Sequence, residues 1–361
     1  MGILNIPVEL LLLIVEDLSP DDILSFRSTC CRVQDVLKPH FENICLQDKG
    51  DLTAIQWAAV HGYSGLIRLA ISNGARIDAP LVGKLQILEV DEEDKSVFAD
   101  EIRAIHYWAN NSAETQPKDS IIRTPLFLAA CCGHLTAIEL LLHQGASMQC
   151  FGGMMTPAHI SADRGELDCL QAFIRAGFDM HARGTKYQTI LHLAISGGVE
   201  MIKYILQQEG GMCIVNYRDN RWKTPLHNLK YSSATSQERR LIVELLLQHG
   251  ANIHARDVWG DTPAHGFARE GWVGCLRLLV EAGFDFHTRG FRDETILHCA
   301  VFSRKEMVEY LLGLAKGKMI FNYENYCGKT ARQLALELYG NGQIVEALMH
   351  HKANYTPRLK L

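Results

Sequence analysis

The chain has 361 residues, 47% of them hydrophobic and 21% charged, with a formal net charge of -5 at pH 7. That is the composition of a folded, water-facing protein, and its slight acidity excludes attachment to nucleic acid or membrane by bulk positive charge. Eleven cysteines, with adjacent pairs at Cys30-Cys31 and Cys131-Cys132 and no C-x-x-C, read as reduced thiols used as small apolar side chains, which points to the cytoplasm or nucleus.

In chain order, residues 1–48 come first. The opening resembles a signal peptide only superficially, because Pro7, Glu9, Glu16 and Asp17 interrupt it. Its apolar run from Leu10 to Val15 is far too short to span a membrane. Leu10, Leu11, Ile14 and Leu18 recur at helical spacing. Ser19 can cap a second helix, with Pro20 at its first position and Asp22 in its first turn, carrying Ile23, Leu24 and Phe26. A third helix holds Val33, Val36 and Leu37 and ends near Pro39. Three short helices cannot bury all these leucines alone, so a partner or the first repeat must cover them.

The order Ile6, Pro7, Glu9, Leu10, Leu11, Ile14, Leu18, then Asp22-Ile23-Leu24, then Cys30, Arg32 and Val33 resembles an F-box, with Ile6 for leucine and Val33 for an aromatic as departures. The resemblance implies docking on the Skp-type adaptor of a cullin ligase complex, with Pro7, Leu10, Leu11, Ile14, Leu18 and Leu24 as the adaptor-binding residues. The residues themselves also allow a helical cap that shields the first repeat.

From there a threonine opens the same helix-starting phrase eight times: Thr53, Thr124, Thr156, Thr189, Thr224, Thr262, Thr295 and Thr330. The spacings are 71, 32, 33, 35, 38, 33 and 35 residues, and a period near 33 means stacked units, not one globular core. Residues 49–80 hold one unit. Residues 81–120, with the acidic run Asp91-Glu92-Glu93-Asp94, are an insertion or a degenerate repeat, an inserted loop with helical content being the preferred reading. Residues 121–355 hold seven units, and 356–361 form a tail.

Within a unit, threonine is the N-cap, and Pro125, Pro157, Pro225 and Pro263 fit the first helical turn. Glycine then breaks a short helix. A second helix ends at Gly145, Gly177, Gly250 or Gly283 as a left-handed cap. The longest unit carries Y-S-S-A-T-S-Q-E-R between its helices, which predicts a lengthened surface loop. The phrase T-P-L-H, the L-L-L run and the G-A after it resemble the ankyrin repeat, most closely from Thr224 to Asp257, over about 300 residues. The terminal copies depart from it, with Gln56 and Gln333 in the usual histidine place. The expected fold is thus mainly α: a three-helix F-box-like head followed by an ankyrin-repeat solenoid with short β-hairpin turns.

Sixteen histidines invite a metal or catalytic reading, but position explains half of them. His159, His192, His227, His265 and His298 each lie three residues after a threonine, a capping place. His181, His254 and His287 lie eight before one, where Asn216 and Asn322 stand in sister units. Repeats lie roughly 10 Å apart, whereas zinc needs ligands at about 2 Å from one centre. No G-x-S-x-G, G-x-x-x-x-G-K-[ST] or H-E-x-x-H occurs. We therefore expect no enzyme, no metal and no cofactor.

Arg183, Arg218, Arg256 and Arg289 form a column six residues before a threonine, a solvated ladder or a contact for an acidic partner, with Asp219 and Asp257 placed to pair with two of them. Tyr187, Trp222, Trp259, Phe291 and Tyr326 fall two to four residues before a threonine, with Arg221 and Arg292 beside them. Aromatics and arginines dominate binding hot spots, so these residues either pack over neighbouring turns or hold a target protein. The function implied is substrate recognition for an SCF-type ubiquitin ligase. The alternative is an ankyrin-repeat interaction scaffold with no ubiquitin role.

Overall fold

A computed structural model describes residues 54–72, 74–78, 124–149, 155–231, 234–339 and 342–353. The six adaptor-binding candidates, the 81–120 segment and the 356–361 tail lie outside the described residues. The chain divides into two units, one of residues 1–162 and 166–179, the other of 163–165 and 180–361. The described residues are mainly helical, and among them no strand forms.

The first unit contains α1 (Ala54–His61), α2 (Ser64–Ser72), α3 (Pro125–Cys132), α4 (Leu135–His143), most of α5 (Pro157–Arg164) and α6 (Leu167–Arg175). Thr124 shows how a repeat starts. Its backbone is extended (φ -79, ψ 160), its hydroxyl accepts the Phe127 N–H at 3.2 Å, and Pro125 follows at the first helical position. Helix α3 is buried from Pro125 to Cys131, as an inner helix must be. Helix α4 buries only Ala137, Ile138, Leu140 and Leu141 and leaves Thr136 and Glu139 exposed. Gly145 then takes φ 85, where a Cβ would meet no atom, so conformation and not space demands glycine.

Helix α1 packs on α3 and α2 on α4. The His134 ring bonds the Val60 carbonyl (2.8 Å), and the Asp78 carboxylate accepts the Ser147 N–H (2.9 Å). These two repeats are direct neighbours although 71 residues separate their threonines.

The second unit contains α7 (Ile190–Gly197), α8 (Val199–Gln207), a 3-10 helix (Pro225–Tyr231), α9 (Ser236–Gln248), α10 (Pro263–Glu270) and α11 (Val273–Glu281). It continues with α12 (Ile296–Ala300), α13 (Lys305–Gly313), α14 (Ala315–Met319), α15 (Ala331–Tyr339) and α16 (Gln343–Ala353). The first helices stack in the order α7, the 3-10 helix, α10, α12, α15. The second helices form a parallel row of α8, α9, α11, α13 and α16.

The long unit departs from the expected surface loop. Thr235 makes a capping box with Glu238, so part of the extra sequence is wound into α9, which has 13 residues against 9 in α8 and α11. The expected β-hairpin turns are present as tight turns without strands. Asp219, Asp257 and Asn325 each donate a backbone N–H to the carbonyl four residues on, at 2.9 Å. Glu324 and Thr330 form an isolated antiparallel bridge. Among the described residues no helix is long and apolar enough to cross a membrane.

Candidate interaction surface

The turns are rigid because polar side chains hold them from behind. Asp219 Oδ1 accepts the N–H of Arg221 and of Lys223, both at 2.8 Å. Asp257 Oδ1 does the same for Trp259 and Asp261 (3.0 Å each), and Asn325 for Cys327 and Lys329. The two aspartates are nearly buried and cap their own turns; they do not pair with the arginine column, as their sequence neighbourhood had suggested.

Three of the column's four arginines staple successive turns instead. Arg183 Nη1 donates to the Tyr187 carbonyl (2.9 Å) and to the Arg218 carbonyl one repeat on (2.8 Å). Arg289 repeats this on Asp293 and Glu324, at 2.9 and 2.8 Å. Arg256 reaches the Arg289 carbonyl at 2.7 Å. The Arg183 and Arg289 guanidinium planes also lie over the Tyr217 and Tyr323 rings, 4.5 and 4.6 Å from their centroids.

The capping histidines tie each first helix to the next turn. His192 Nδ1 accepts the Thr189 N–H (3.2 Å), and its Nε2 reaches the Lys223 carbonyl (3.1 Å). His227 and His298 do likewise, onto the carbonyls of Asp261 and Lys329. A ring that accepts at Nδ1 and donates at Nε2 is neutral. Burial pushes the pKa of His192, His227 and His265 down to about 4. In the terminal repeat Gln333 Oε1 accepts the Thr330 N–H at 2.8 Å, filling the same place without a titrating group. His181 and His287, in the place that Asn216 and Asn322 hold in sister units, each bond a tyrosine hydroxyl one repeat on, Tyr217 and Tyr323.

With the backbone fixed, the tips project outward. Tyr187 is 67% exposed, Trp222 57%, Trp259 45%, Phe291 41% and Tyr326 84%, so the aromatics do not fold into the core. Arg221 and Arg292 are exposed beside them. Trp259 separates two cavities. One, of about 430 Å³, is walled by Trp259, Phe291 and Phe302, with Arg269, Arg292, Asp261 and Glu294 around it. The other, of about 240 Å³, runs past Arg221, Lys223 and Trp272.

At the floor Asp261 accepts the Phe291 N–H (2.8 Å) and pairs with Arg269 (3.1 Å), whose other amine touches Cys299 Sγ at 3.3 Å. Burial raises the Glu294 carboxyl above its usual range and lifts the Cys299 thiol far beyond reactivity. These groups hold the floor together, and no nucleophile–base pair emerges from them.

Sequence reasoning found the tips but missed Phe302 and Arg269, which occupy one repeat position, seven residues after Thr295 and Thr262. The signal for Phe302 was a missing glycine. Arg304 stands where sister units have Gly133 and Gly271, so α12 stops after 5 residues and Phe302 comes to the surface.

Comparison with known proteins matches this geometry. A family model of ankyrin repeats in three copies covers residues 158–257 and 229–318, and a single ankyrin-repeat model covers 123–150. The B-cell lymphoma 3 protein homolog of Mus musculus is 25% identical over 252 residues, 68% of this chain and 53% of that protein. E3 ubiquitin-protein ligase KEG of Arabidopsis thaliana is 22% identical over 246 residues, 56% of this chain but 15% of that protein. NF-kappa-B inhibitor zeta of Mus musculus is 25% identical over 137 residues, 36% of this chain and 18% of that protein. The crystal structure of the ankyrin repeat domain of Bcl-3, described as a member of the IkappaB family, aligns with TM-score 0.50 and 22% identity. It covers 72% of this chain and 98% of that domain. This chain spans about half the length of the Bcl-3 relative and less of the other two.

These findings overturn the SCF substrate-receptor reading. The likeness to Bcl-3 and to NF-kappa-B inhibitor zeta is a likeness of ankyrin proteins of the IkappaB type, and no F-box model matches residues 1–48. The two kinds of ankyrin model together cover just over half of the sequence, and the chain belongs to the ankyrin-repeat family.

Proposed function

We propose that this chain is an ankyrin-repeat interaction scaffold with no ubiquitin role, and that its second unit holds a partner protein on the row of turn tips. The observation that carries this reading is the exposure of Tyr187, Trp222, Trp259, Phe291 and Tyr326 on turns whose backbones are fixed from behind. Large rings presented at little conformational cost are what a hot spot requires. The histidines and acids a catalyst would use are engaged in caps and staples, which supports a non-enzymatic reading. The seven cysteines among the described residues are free thiols, in keeping with a cytoplasmic or nuclear location. One relative is named for inhibiting NF-kappa-B, which makes an NF-kappa-B protein the first partner to try.

The test compares wild type with Trp222→Ala/Trp259→Ala/Phe291→Ala in affinity purification from cells and against purified NF-kappa-B protein. We expect the variant to keep its circular-dichroism spectrum and to lose its partners. Identical partner sets for the two proteins sink the reading.

A further inference from the structure

Three guanidinium groups on the tip face stand apart from the stapling contacts. Arg218 lies 5.3 Å from the Trp222 ring centroid, Arg221 5.7 Å from that of Trp259, and Arg292 5.2 Å from that of Phe291. All three arginines are exposed. No described carboxylate lies within 4.0 Å of any of them. In a chain of net charge -5 these ring-steadied cations line one face, Arg292 feeling the Glu294 carboxylate at the cavity wall but making no ion pair with it. Arginine held against a ring keeps its fork free and loses little freedom on meeting a carboxylate.

The cavities add spacing to charge. Trp259, Asp261 and Arg269 line both, with Arg221 on one side and Phe291, Arg292 and Phe302 on the other. The 430 Å³ cavity offers mostly ring faces, because the carboxylate and guanidinium of Asp261 and Arg269 are turned on each other. It is a seat for one apolar side chain. Neighbouring repeats lie about 10 Å apart, and an extended chain advances about 3.3 Å per residue, so roughly three residues of a bound strand span one repeat.

We propose that this face binds an extended acidic peptide segment, with one apolar side chain in the Trp259–Phe291–Phe302 cavity and a carboxylate about three residues away on Arg221. Arg292 takes a second carboxylate close to the apolar residue. This deepens the scaffold reading and rests on it, by naming the chemistry of the partner.

The test uses the full chain and fluorescein-labelled glycine–serine dodecapeptides carrying an Asp-Glu pair and one phenylalanine, at spacings of one to five residues and in both orders. Binding is followed by polarisation. We expect the tightest binding at a spacing of three, weakened at least tenfold by Arg221→Glu/Arg292→Glu and by Phe302→Ala. Peptides with Lys-Lys in place of Asp-Glu should bind the charge-reversed variant better than wild type, a gain that a misfolded variant cannot give. Absence of binding, binding independent of spacing, or equal binding of the lysine peptides to wild type overturns the proposal. So does preference for a single-stranded oligonucleotide of the same label over every peptide. Partners captured by wild type, lost on Trp259→Ala but kept by Arg221→Glu/Arg292→Glu, would overturn the acidic-segment inference while leaving the scaffold reading in place.

Discussion

Gly290 shows how tightly single residues are set beneath the tips. Its φ of -104 is open to any residue, yet a Cβ there would stand 2.2 Å from Asp261 Oδ1 and 2.8 Å from His265 Cδ2. Asp261 has little room to yield, being held by the Phe291 N–H and by Arg269. Gly290→Ala should therefore cost about 1–3 kcal/mol through overpacking, read as a lower urea midpoint; an unchanged midpoint counts against the close approach. At this scale the sequence was half legible. A histidine three residues after a threonine announces a cap from one repeat alone, and His192, His227 and His298 fill that role. The placing of Arg269 against Asp261 and Cys299 depends on residues eight and thirty positions away, and no local pattern encodes it.

Among the elements, the turn from Asp219 to Lys223 carries a backbone cost that the turns ending at Asp261 and Lys329 avoid, and that the turns ending at Gln188 and Glu294 share through Tyr187 (φ 58) and Asp293 (φ 59). Trp222 has φ 61 at the position two before the threonine, where the turns ending at Asp261 and Lys329 place Gly260 (φ 86) and Gly328 (φ 68). Left-handed backbone costs a bulky residue roughly 1–2 kcal/mol, while glycine adds about 0.5–1 kcal/mol of unfolded-state entropy. Trp222→Gly should then raise the melting temperature by about 1–3 °C and at the same time weaken partner binding. A fall in melting temperature would argue that the ring packs more than it recognises. Turn positions were legible from the period. The identity of the strained residue was not, because a sequence does not show which of five turn residues takes positive φ. The start of α9 was also misjudged: Thr235 and Glu238 form a capping box, which was in plain view inside what read as a loop.

For the molecule as a whole, the histidine columns predict acid sensitivity. His192, His227 and His265 ionise near 4 in the folded state against the ordinary 6.5, so the unfolded chain binds more protons between those values. Stability is complete above pH 6.5 and is lost as pH falls toward 4, by about 3 kcal/mol for each histidine. Asp163, pushed up to about 6 by burial, works in the opposite direction and offsets about one of them; Asp257 and Glu294, also raised, oppose it further. The net direction is a loss of stability as pH falls from 6.5 toward 4. We expect thermal midpoints to drop steeply between pH 6.5 and 4. In His192→Gln, which keeps the cap as Gln333 does, the slope should be shallower by up to one proton. Equal slopes for the two proteins would show that His192 does not drive the transition.

The repeat architecture was the most legible feature, since eight threonines in register leave little choice of fold. The function of residues 1–48 was the least. Leucines at helical spacing after a proline suit many amphipathic helices as well as an F-box, and the relatives that share the repeats gave that reading no support.

The contact of α1 and α2 with α3 and α4 has a practical consequence. The repeat that runs to Asp78 and the one that starts at Thr124 touch directly, so their junction is closed by side chains and not by a short tether. Loop-closure entropy rises only by about 0.6 kcal/mol for each doubling of length. That seam is where a reporter domain or an affinity tag can be spliced into the array while its layers stay in register.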